Sequence, residues 1–285
     1  MIKLSEVTFD YLRPDGTAVT ETPQLNRVNL EIAAGQFVLV CGPTGSGKST
    51  LLKVLNGLAP SFTGGLISGS IEIDGIDLTG KPPHEYAGLV GYVNQQPEGS
   101  FVADTVIDEL VYGAEQLGVS KEQIQTKLDE ITEIVEIKDL LDRNLESLSG
   151  GQQQRVAIGA ALVAGAKVLL LDEPTSALDQ VGTKRILQAL KTLAHNSGVT
   201  ILLAEHRISR VIAEVDSMLV VHGDGSVTHG LVSDQFNDAR FAPPIIELGL
   251  KLAWQPLEIS AAAAAQRWQS SPAKYQTVKL SPQGE

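Results

Sequence analysis

Residues 36–49 read QFVLVCGPTGSGKS, an apolar run that leads into a glycine-rich loop. The loop matches the pattern G-x-x-x-x-G-K-[ST], and the residues that follow it, KSTLLKVLNGL, resemble a helix. Backbone N–H groups of such a loop surround phosphates, Lys48 reaches the β- and γ-phosphates, and the Ser49 hydroxyl suits Mg²⁺. A glycine-rich turn without a ligand is the alternative, which the flanking strand and helix disfavour. The stretch predicts a phosphate-binding loop made of Gly42, Pro43, Thr44, Gly45, Ser46, Gly47, Lys48, Ser49 and Thr50.

The composition limits the class of protein. The 285 residues carry a net charge of −12, with 43% hydrophobic and 20% charged residues, which is typical of a globular protein. This acidity argues against direct binding of nucleic acid or of a membrane surface, because both need clustered Lys and Arg. The single cysteine, Cys41, and the lack of a signal-peptide pattern predict a reducing, cytosolic location. The longest apolar runs, at 167–171 and 200–204, are too short to span a bilayer, so any membrane link runs through another protein.

Apolar strand-like runs alternate with segments of helical period, which predicts an α/β fold with a largely buried sheet. Two shorter alternating segments near the N-terminus predict an antiparallel β layer. The predicted fold class is a P-loop NTPase core with this β layer, an inserted helical subdomain and a C-terminal helical extension. The predicted strands are Ile2–Phe9, Leu25–Ile32, Gln36–Cys41, Gly88–Val93, Val168–Asp172, Thr200–Ala204 and Ser217–His222.

The strand signal stops after residue 98 and returns after residue 164. In this interval Ser120 and Gln123 have the spacing of a capping box before apolar residues at helical spacing. We therefore predict a nucleotide-binding domain over 1–235 that contains a helical subdomain at about 98–165. Residues 236–285 are predicted to be a C-terminal extension, with a short apolar helix at Ile245–Leu252 and a flexible tail.

A second group of chemical residues follows the strand VLLLD. The run ends in Asp172 and Glu173, which brings two carboxylates to the carboxyl edge of a sheet beside the phosphate loop. There Asp172 would hold Mg²⁺, and Glu173 would polarise an attacking water. A strand that ends in solvated acids is the alternative. Tyr11, at the end of the first β segment, offers an aromatic face for adenine, although a plain edge tyrosine would fit the same pattern.

Residues 148–152 read LSGGQ and are followed by a helix predicted over Gln152–Ala164. They present a hydroxyl and backbone N–H groups at a helix N-terminus, although a glycine-capped helix start would look alike. At this motif the sequence resembles the ATP-binding-cassette ATPases. The resemblance covers about residues 1–230 and keeps the family order of motifs. These are the phosphate loop, a glutamine loop at 93–95, LSGGQ, the acid pair, a D-loop at 176–179 and a switch histidine at 206.

The resemblance implies an ATPase that works as a dimer with ATP as substrate and Mg²⁺ as cofactor. It implies that Gln95 contacts the metal and a partner surface, that His206 senses the γ-phosphate, and that Asp179 couples the two sites. A loop amide and a capping histidine are the plainer interpretations of Gln95 and His206. The implied catalytic residues are Lys48, Gln95, Glu173 and His206, and the implied metal ligands are Ser49, Gln95 and Asp172. In this family the partner protomer's nucleotide would meet Ser149, Gly150, Gly151 and Gln152.

Shorter stretches resemble the energy-coupling-factor branch of that family. They are GYVNQQPE at 91–98, FVADTV at 101–106, AEHR at 204–207 and PPIIELG at 243–249, with Asn94 where phenylalanine is usual. The last stretch resembles the start of the C-terminal dimerisation helices of that branch, which implies a dimerisation segment within 236–285. The resemblance implies uptake of a vitamin or transition metal by a homodimer, or by a heterodimer with a paralogous ATPase. It also implies an integral membrane coupling subunit, a membrane subunit that binds the substrate, and a peripheral location on the cytoplasmic membrane face. A groove beside the glutamine loop, with exposed Phe101 and Val102, would hold the partner's helix.

Other functions are weighed against this one. The ATPase of a conventional importer or exporter would share every nucleotide motif and differ in the C-terminal segment. A non-transport ATPase that acts on DNA would need a long coiled coil, for which the segment between Lys48 and Ser149 is too short. A ribosome-acting member would carry two cassettes and a basic linker. A regulatory module without hydrolysis is disfavoured by the presence of Glu173 and His206.

Overall fold

The computed structural model describes residues 1–176, 178–235, 244–254, 257–259 and 261–270. The strands are β1 (Ile2–Asp10), β2 (Leu25–Ile32), β3 (Phe37–Cys41), β4 (Leu66–Ile73), β5 (Ile76–Asp77), β6 (Val90–Val93), β7 (Val168–Asp172), β8 (Thr200–Ala204), β9 (Ser217–Val221) and β10 (Val227–Gly230). The helices are α1 (Lys48–Leu55), α2 (Leu58–Ser61), α3 (Val106–Gln116), α4 (Lys121–Ile134), α5 (Gly150–Val163), α6 (Gln180–Ser197), α7 (Ile208–Val211), α8 (Pro244–Lys251) and α9 (Ala261–Ser270).

The larger sheet positions the site. Its strand order is β10-β9-β3-β8-β7-β6, and every pair except β10 with β9 is parallel. The central strands are buried on both faces, as expected for a parallel sheet covered by helices. Because parallel strands point the same way, the residues that follow β3, β6, β7 and β8 meet at one edge. The predicted α/β fold is confirmed.

The N-terminal sheet is antiparallel, as predicted, but it contains strands that the sequence did not reveal. Its order is β2-β1-β4-β5, so β1 lies between β2 and β4. Strand β4 was missed because Gly69, with φ +90°, interrupts its alternation and its register with β1 shifts between Ser5 and Thr8. The sheet packs through Phe9, Val28 and Ile71 on the apolar residues of α1 and the large sheet.

The helical segment is built from α3, α4 and α5. The predicted capping box of α4 is present, with the Ser120 side chain accepting from the backbone N–H of Gln123. Helix α5 begins at Gly150, two residues before the predicted start, because Ser149 and Gln152 form a second capping box. A Cβ on Gly159 of α5 would lie 2.9 Å from Cδ2 of Leu110, so α3 and α5 pack closely. Leu110, Leu128 and Leu169 all belong to one buried cluster that joins the helical segment to the large sheet.

The described C-terminal residues pack on the rest of the chain. Ile246 of α8 is fully buried in the main cluster, and Trp254 and Ala264 form a small cluster between α8 and α9. The predicted helix at Ile245–Leu252 corresponds to α8. Pro243, the start of the predicted dimerisation motif, and residues 271–285, which include the predicted flexible tail, lie outside the described residues. None of the helices within the described ranges has both the length and the apolarity that crossing a bilayer requires.

Candidate functional site

The phosphate loop follows β3 and leads into α1. Gly47 caps this helix with φ +108° and provides no side-chain hydrogen bond, so the first N–H groups of α1 are left for another acceptor. The Lys48 side chain is buried and its Nζ donates to the carbonyl oxygens of Gly42 and Pro43, each at 3.0 Å. Burial lowers the pKa of the Lys48 ammonium from its ordinary value, whereas the negative charge of Glu173 acts in the opposite direction. The loop thus forms a cradle at the start of α1 that holds the Lys48 ammonium, an arrangement suited to an anion.

Two glycines of the loop test how tightly the cradle is built. A Cβ on Gly42 (φ +145°) would lie 2.2 Å from the carbonyl oxygen of Val221, whereas a Cβ on Gly45 (φ +80°) would meet nothing within 4 Å. We expect Gly42→Ala to lower the free energy of unfolding by about 3 kcal/mol, and Gly45→Ala by only about 1 kcal/mol from backbone strain. Urea unfolding of both variants measures the difference, and equal losses would contradict the close approach of β3 and β9.

The carboxylate of Asp172 faces the first turn of α1. Its Oδ1 accepts a hydrogen bond from Oγ of Ser49 at 3.2 Å, and its Oδ2 accepts one from the Tyr92 hydroxyl at 3.4 Å. Burial and the nearby carboxylate raise the pKa of Tyr92, so its hydroxyl remains a donor. Ser49 and Asp172 together offer hard oxygen donors of the kind that Mg²⁺ uses alongside phosphates. Among the described residues, no three His, Cys, Asp or Glu side chains group as a metal site by themselves.

Glu173 and His206 form a second pair at the same edge. Nε2 of His206 lies 2.9 Å from Oε1 of Glu173, and the two side chains are 41% and 26% exposed. Glu173 has a φ of +52°, which is uncommon for a residue with a side chain and marks a position that the surroundings hold in place. Its backbone N–H donates to the carbonyl of Ala204 at 2.9 Å, which ties the end of β7 to the end of β8. A carboxylate and an imidazole are therefore positioned together beside the phosphate loop.

The remaining predicted residues of this edge are placed as follows. Gln95 is exposed on the loop after β6, whose Val93 pairs with Leu171 of β7. The Tyr11 hydroxyl lies 3.2 Å from Oγ1 of buried Thr50, so the tyrosine sits against the helix of the phosphate loop. The Tyr11 ring is edge-on to Phe9, with centroids 4.8 Å apart. Tyr11 therefore borders the cradle through Thr50, and the roles of Tyr11 and Gln95 toward a nucleotide stay predictions.

The LSGGQ residues lie in a different place in the same chain. Ser149, Gly150, Gly151 and Gln152 line a cavity of about 440 Å³ together with Leu178 and Asp179 of the predicted D-loop. Ala177 of that loop is outside the described residues. The cavity also includes Arg155 and Arg185, and no residue of the phosphate loop lines it. The phosphate loop and this cavity are therefore two separate surfaces of one chain.

Sequence reasoning missed several residues of this arrangement. Tyr92, Thr175 and Glu205 all make side-chain hydrogen bonds at the edge of the sheet. In the sequence, Tyr92 and Glu205 are noticeable only as members of the stretches GYVNQQPE and AEHR. Their contacts join strands that are far apart in sequence, so periodicity and spacing carry no signal for them. Cys41 is a buried free cysteine on β3, and burial raises the pKa of its thiol to about 12, which keeps it protonated.

Comparison with known sequences gives a consistent family. Residues 25–176 match the family described as ABC transporter. A protein of Streptomyces avermitilis, named as an ABC transporter ATP-binding protein, is 40% identical over 268 residues, which are 94% of this chain and 47% of that protein. The chain spans about half the length of the curated relatives it matches.

Solved structures that resemble this one are also ABC transporter proteins. The structure is similar to cbiO1 from Clostridium perfringens, part of the ABC transporter complex cbiONQ, with a TM-score of 0.71 and 30% identity over 88% of this chain and 95% of that one. A bacterial ABC transporter cassette solved as a dimer matches with a TM-score of 0.67 and 29% identity, over 81% of this chain and 99% of that one. That cassette has also been solved in a post-hydrolysis state bound to ADP and Pi.

Proposed function

Because the chain belongs to the ABC transporter ATPase family, we propose that it hydrolyses ATP to drive a membrane transporter. The observation that carries the proposal is the Glu173–His206 pair at 2.9 Å, next to the Lys48 cradle. Phosphoryl transfer needs mainly positioning and charge stabilisation, and these groups supply both. Residues 1–235 would form the ATPase unit, with the helical part at about 98–165, and residues 236–285 an extension of it.

Within one chain, the cradle would hold the phosphates of ATP. Lys48 would exchange its two loop carbonyls for phosphate oxygens, and Tyr11 would lie under the adenine. Ser49, Asp172 and Gln95 would hold Mg²⁺, which when bound neutralises charge on the β- and γ-phosphates. Glu173 would accept a proton from the attacking water, and His206 would orient that water and the γ-phosphate.

The LSGGQ cavity would be a second anion-binding surface, and its position suits an ATP site that two protomers form together. Since the LSGGQ cavity and the phosphate loop are separate in one chain, each ATP would lie between the cradle of one protomer and Ser149–Gln152 of the other. A cassette among the structural relatives has been solved as a dimer, which supports dimerisation. Asp179 would couple the two ATP sites. ATP then closes the dimer, because only the closed form contacts the nucleotide from both sides.

The membrane partner would bind in a groove between β6, α3 and α5. The groove has a volume of about 450 Å³ and is lined mainly by apolar residues, among them Val90, Phe101, Val102, Tyr112, Leu117 and Ala161. Val102 is 62% exposed, although it is a large apolar side chain. We propose that an apolar helix of an integral membrane subunit fills this groove and that the chain lies peripherally on the cytoplasmic membrane face. Similarity to cbiO1 supports the energy-coupling-factor branch, and therefore uptake of a vitamin or transition metal.

Purification of the chain from native membranes in mild detergent, with mass spectrometry of the proteins that co-purify, tests the branch. We expect a coupling-type membrane protein together with a small substrate-binding membrane protein, and a paralogous ATPase if the dimer is mixed. Recovery of two conventional permease subunits would move the protein to another transport branch. Recovery of soluble partners alone would contradict a role in transport.

The groove itself is tested by Val102→Glu. A charge on this exposed apolar residue should prevent an apolar helix from docking, and we expect at least a tenfold loss of co-purified membrane subunit, since burying an unpaired carboxylate costs several kcal/mol. The control is Leu66→Glu on β4 of the N-terminal sheet, since Leu66 is 65% exposed and lies outside the groove. Equal loss in both variants would contradict the proposed docking site, and ATP turnover of the isolated chains should be unchanged.

A further inference from the structure

Glu205 is a buried acid that the proposed function does not use. It follows β8 directly and precedes His206, and it is only 3% exposed, whereas Asp172, Glu173 and His206 all reach solvent. Burying a carboxyl group is costly unless it is hydrogen-bonded. Its partners therefore indicate why the chain places an acid there.

Glu205 is fixed on one side to the sheet and on the other to Thr175. Its backbone N–H donates to the carbonyl of Val40 at 3.2 Å, which holds it beside β3. Its Oε1 accepts hydrogen bonds from both the backbone N–H of Thr175, at 3.1 Å, and the Thr175 hydroxyl. Thr175 is itself 1% exposed, so water does not compete for these bonds.

Thr175 in turn holds the segment that leads to the LSGGQ cavity. The backbone N–H of Leu178 donates to the carbonyl of Thr175 at 3.1 Å. The Leu178 side chain contacts Gly151 so closely that a Cβ there would lie 2.7 Å from its Cδ2. Asp179, the next residue, accepts from the N–H of Gly182 at 2.7 Å and caps α6. A continuous set of contacts therefore joins Glu205 to the LSGGQ glycines.

We infer that Glu205 is a positioning residue that links the two half-sites of one chain. Through Thr175 it fixes Leu178 and Asp179 against Gly151, and through the backbone at Ala204 and His206 it is attached to the Glu173–His206 pair. In the proposed dimer, the end of β8 would face the nucleotide bound to the same chain. Through Thr175 it would also position the LSGGQ surface, which meets the nucleotide bound to the partner. The inference rests on the proposed shared-site dimer and names the residue that connects its two halves.

The test uses the full chain with Glu173→Gln, in which ATP should assemble a stable dimer. In this background Thr175→Val removes the hydroxyl and keeps the side-chain volume and the backbone N–H. Dimer formation is measured by sedimentation at increasing protein concentration with ATP, and ATP binding to the monomer by fluorescence of a labelled ATP. We expect Thr175→Val and Glu205→Gln each to raise the protein concentration for half-dimerisation about tenfold, the usual effect of losing a charge-assisted buried hydrogen bond. The affinity of the monomer for ATP should remain unchanged.

Two further variants separate this role from general stability. Thr175→Ser keeps the hydroxyl and should restore dimerisation. Thr183→Val removes another buried threonine hydroxyl, one without a hydrogen-bond partner among the described residues, and should leave dimerisation unchanged. A merely structural role would lower the melting temperature and weaken monomer binding and dimerisation together.

The experiment distinguishes failure of the shared-site dimer from failure of the positioning role of Glu205. If the Glu173→Gln chain forms no dimer with ATP, the shared-site function itself is wrong. If that chain dimerises and both Thr175→Val and Glu205→Gln dimerise at the same protein concentration as their parent, the positioning role of Glu205 is wrong.

Discussion

Glu173→Gln lowers steady-state ATP turnover by a factor of about 10²–10⁴, the range that a lost general base produces. Glutamine has nearly the same shape and keeps an acceptor oxygen, but it cannot take a proton from water. Because Glu173 is held at φ +52° and lies 2.9 Å from His206, the substitution should leave the surrounding backbone in place. ATP binding is therefore retained, and the nucleotide stays trapped in a closed dimer. Turnover is measured by phosphate release, and the dimer by size-exclusion chromatography with ATP.

The chain contains a matched control for this substitution. His195 and Asp216 form another imidazole–carboxylate pair at 3.0 Å, with side chains 41% and 33% exposed, between α6 and the loop before β9. Asp216→Asn removes the charge of an equivalent pair outside the site and should leave turnover within about twofold, since such half-exposed pairs contribute little. Substantial residual hydrolysis by Glu173→Gln would show that another group accepts the proton.

Ser149→Arg abolishes dimer closure and lowers turnover at least a hundredfold, because a long cation replaces a small hydroxyl where two protomers must enclose one ATP. Monomer binding of ATP should persist, since Ser149 is outside the phosphate loop. Turnover, labelled-ATP binding and dimer formation with ATP measure the three effects. Ser120→Arg is the control, because Ser120 caps α4 with the same type of capping box and does not line the cavity. Both variants lose about 1 kcal/mol of helix capping, and only Ser149→Arg should lose turnover.

Mixing two inactive chains tests the sharing of the site directly. Ser149→Arg keeps an intact phosphate loop, and Lys48→Ala keeps an intact LSGGQ segment. A mixed dimer would therefore contain one complete site, and turnover should partly return on mixing. Normal hydrolysis by Ser149→Arg alone, or no recovery in the mixture, would contradict a site formed between protomers.

The motifs could be located from the sequence alone, because each depends on residues that are close in sequence. The phosphate loop, the acid pair and LSGGQ each contain their own strand or helix boundary, so pattern alone locates them. The phosphate loop and the acid pair meet at one edge because their strands are parallel, as the contact between Ser49 and Asp172 shows, whereas LSGGQ lies elsewhere in the chain. Helix α5 still began earlier than predicted, because the Ser149–Gln152 box decides the start and the glycines tolerate the first turn.

The contacts between strands could not be predicted. Strand β4 is recognisable only beside β1, since its own alternation is broken at Gly69. Glu205 follows an apolar strand just as a solvated acid would, and only the turn after β7, folded back over it, buries it against Thr175. Tyr92 donates to Asp172, 80 residues away. Such pairings depend on topology, which one sequence specifies only through the complete fold.

The buried cluster that joins the helical segment to the large sheet also limits how these two parts can move relative to each other. A hinge needs a boundary that few contacts cross, whereas Leu110, Leu128 and Leu169 form one continuous interior. Movement of the helices against the sheet would therefore proceed by shear, as packed side chains slide over each other by small steps. A partner helix bound beside β6 and α5 would therefore be displaced by a small shear movement along that interface rather than by a large hinge rotation.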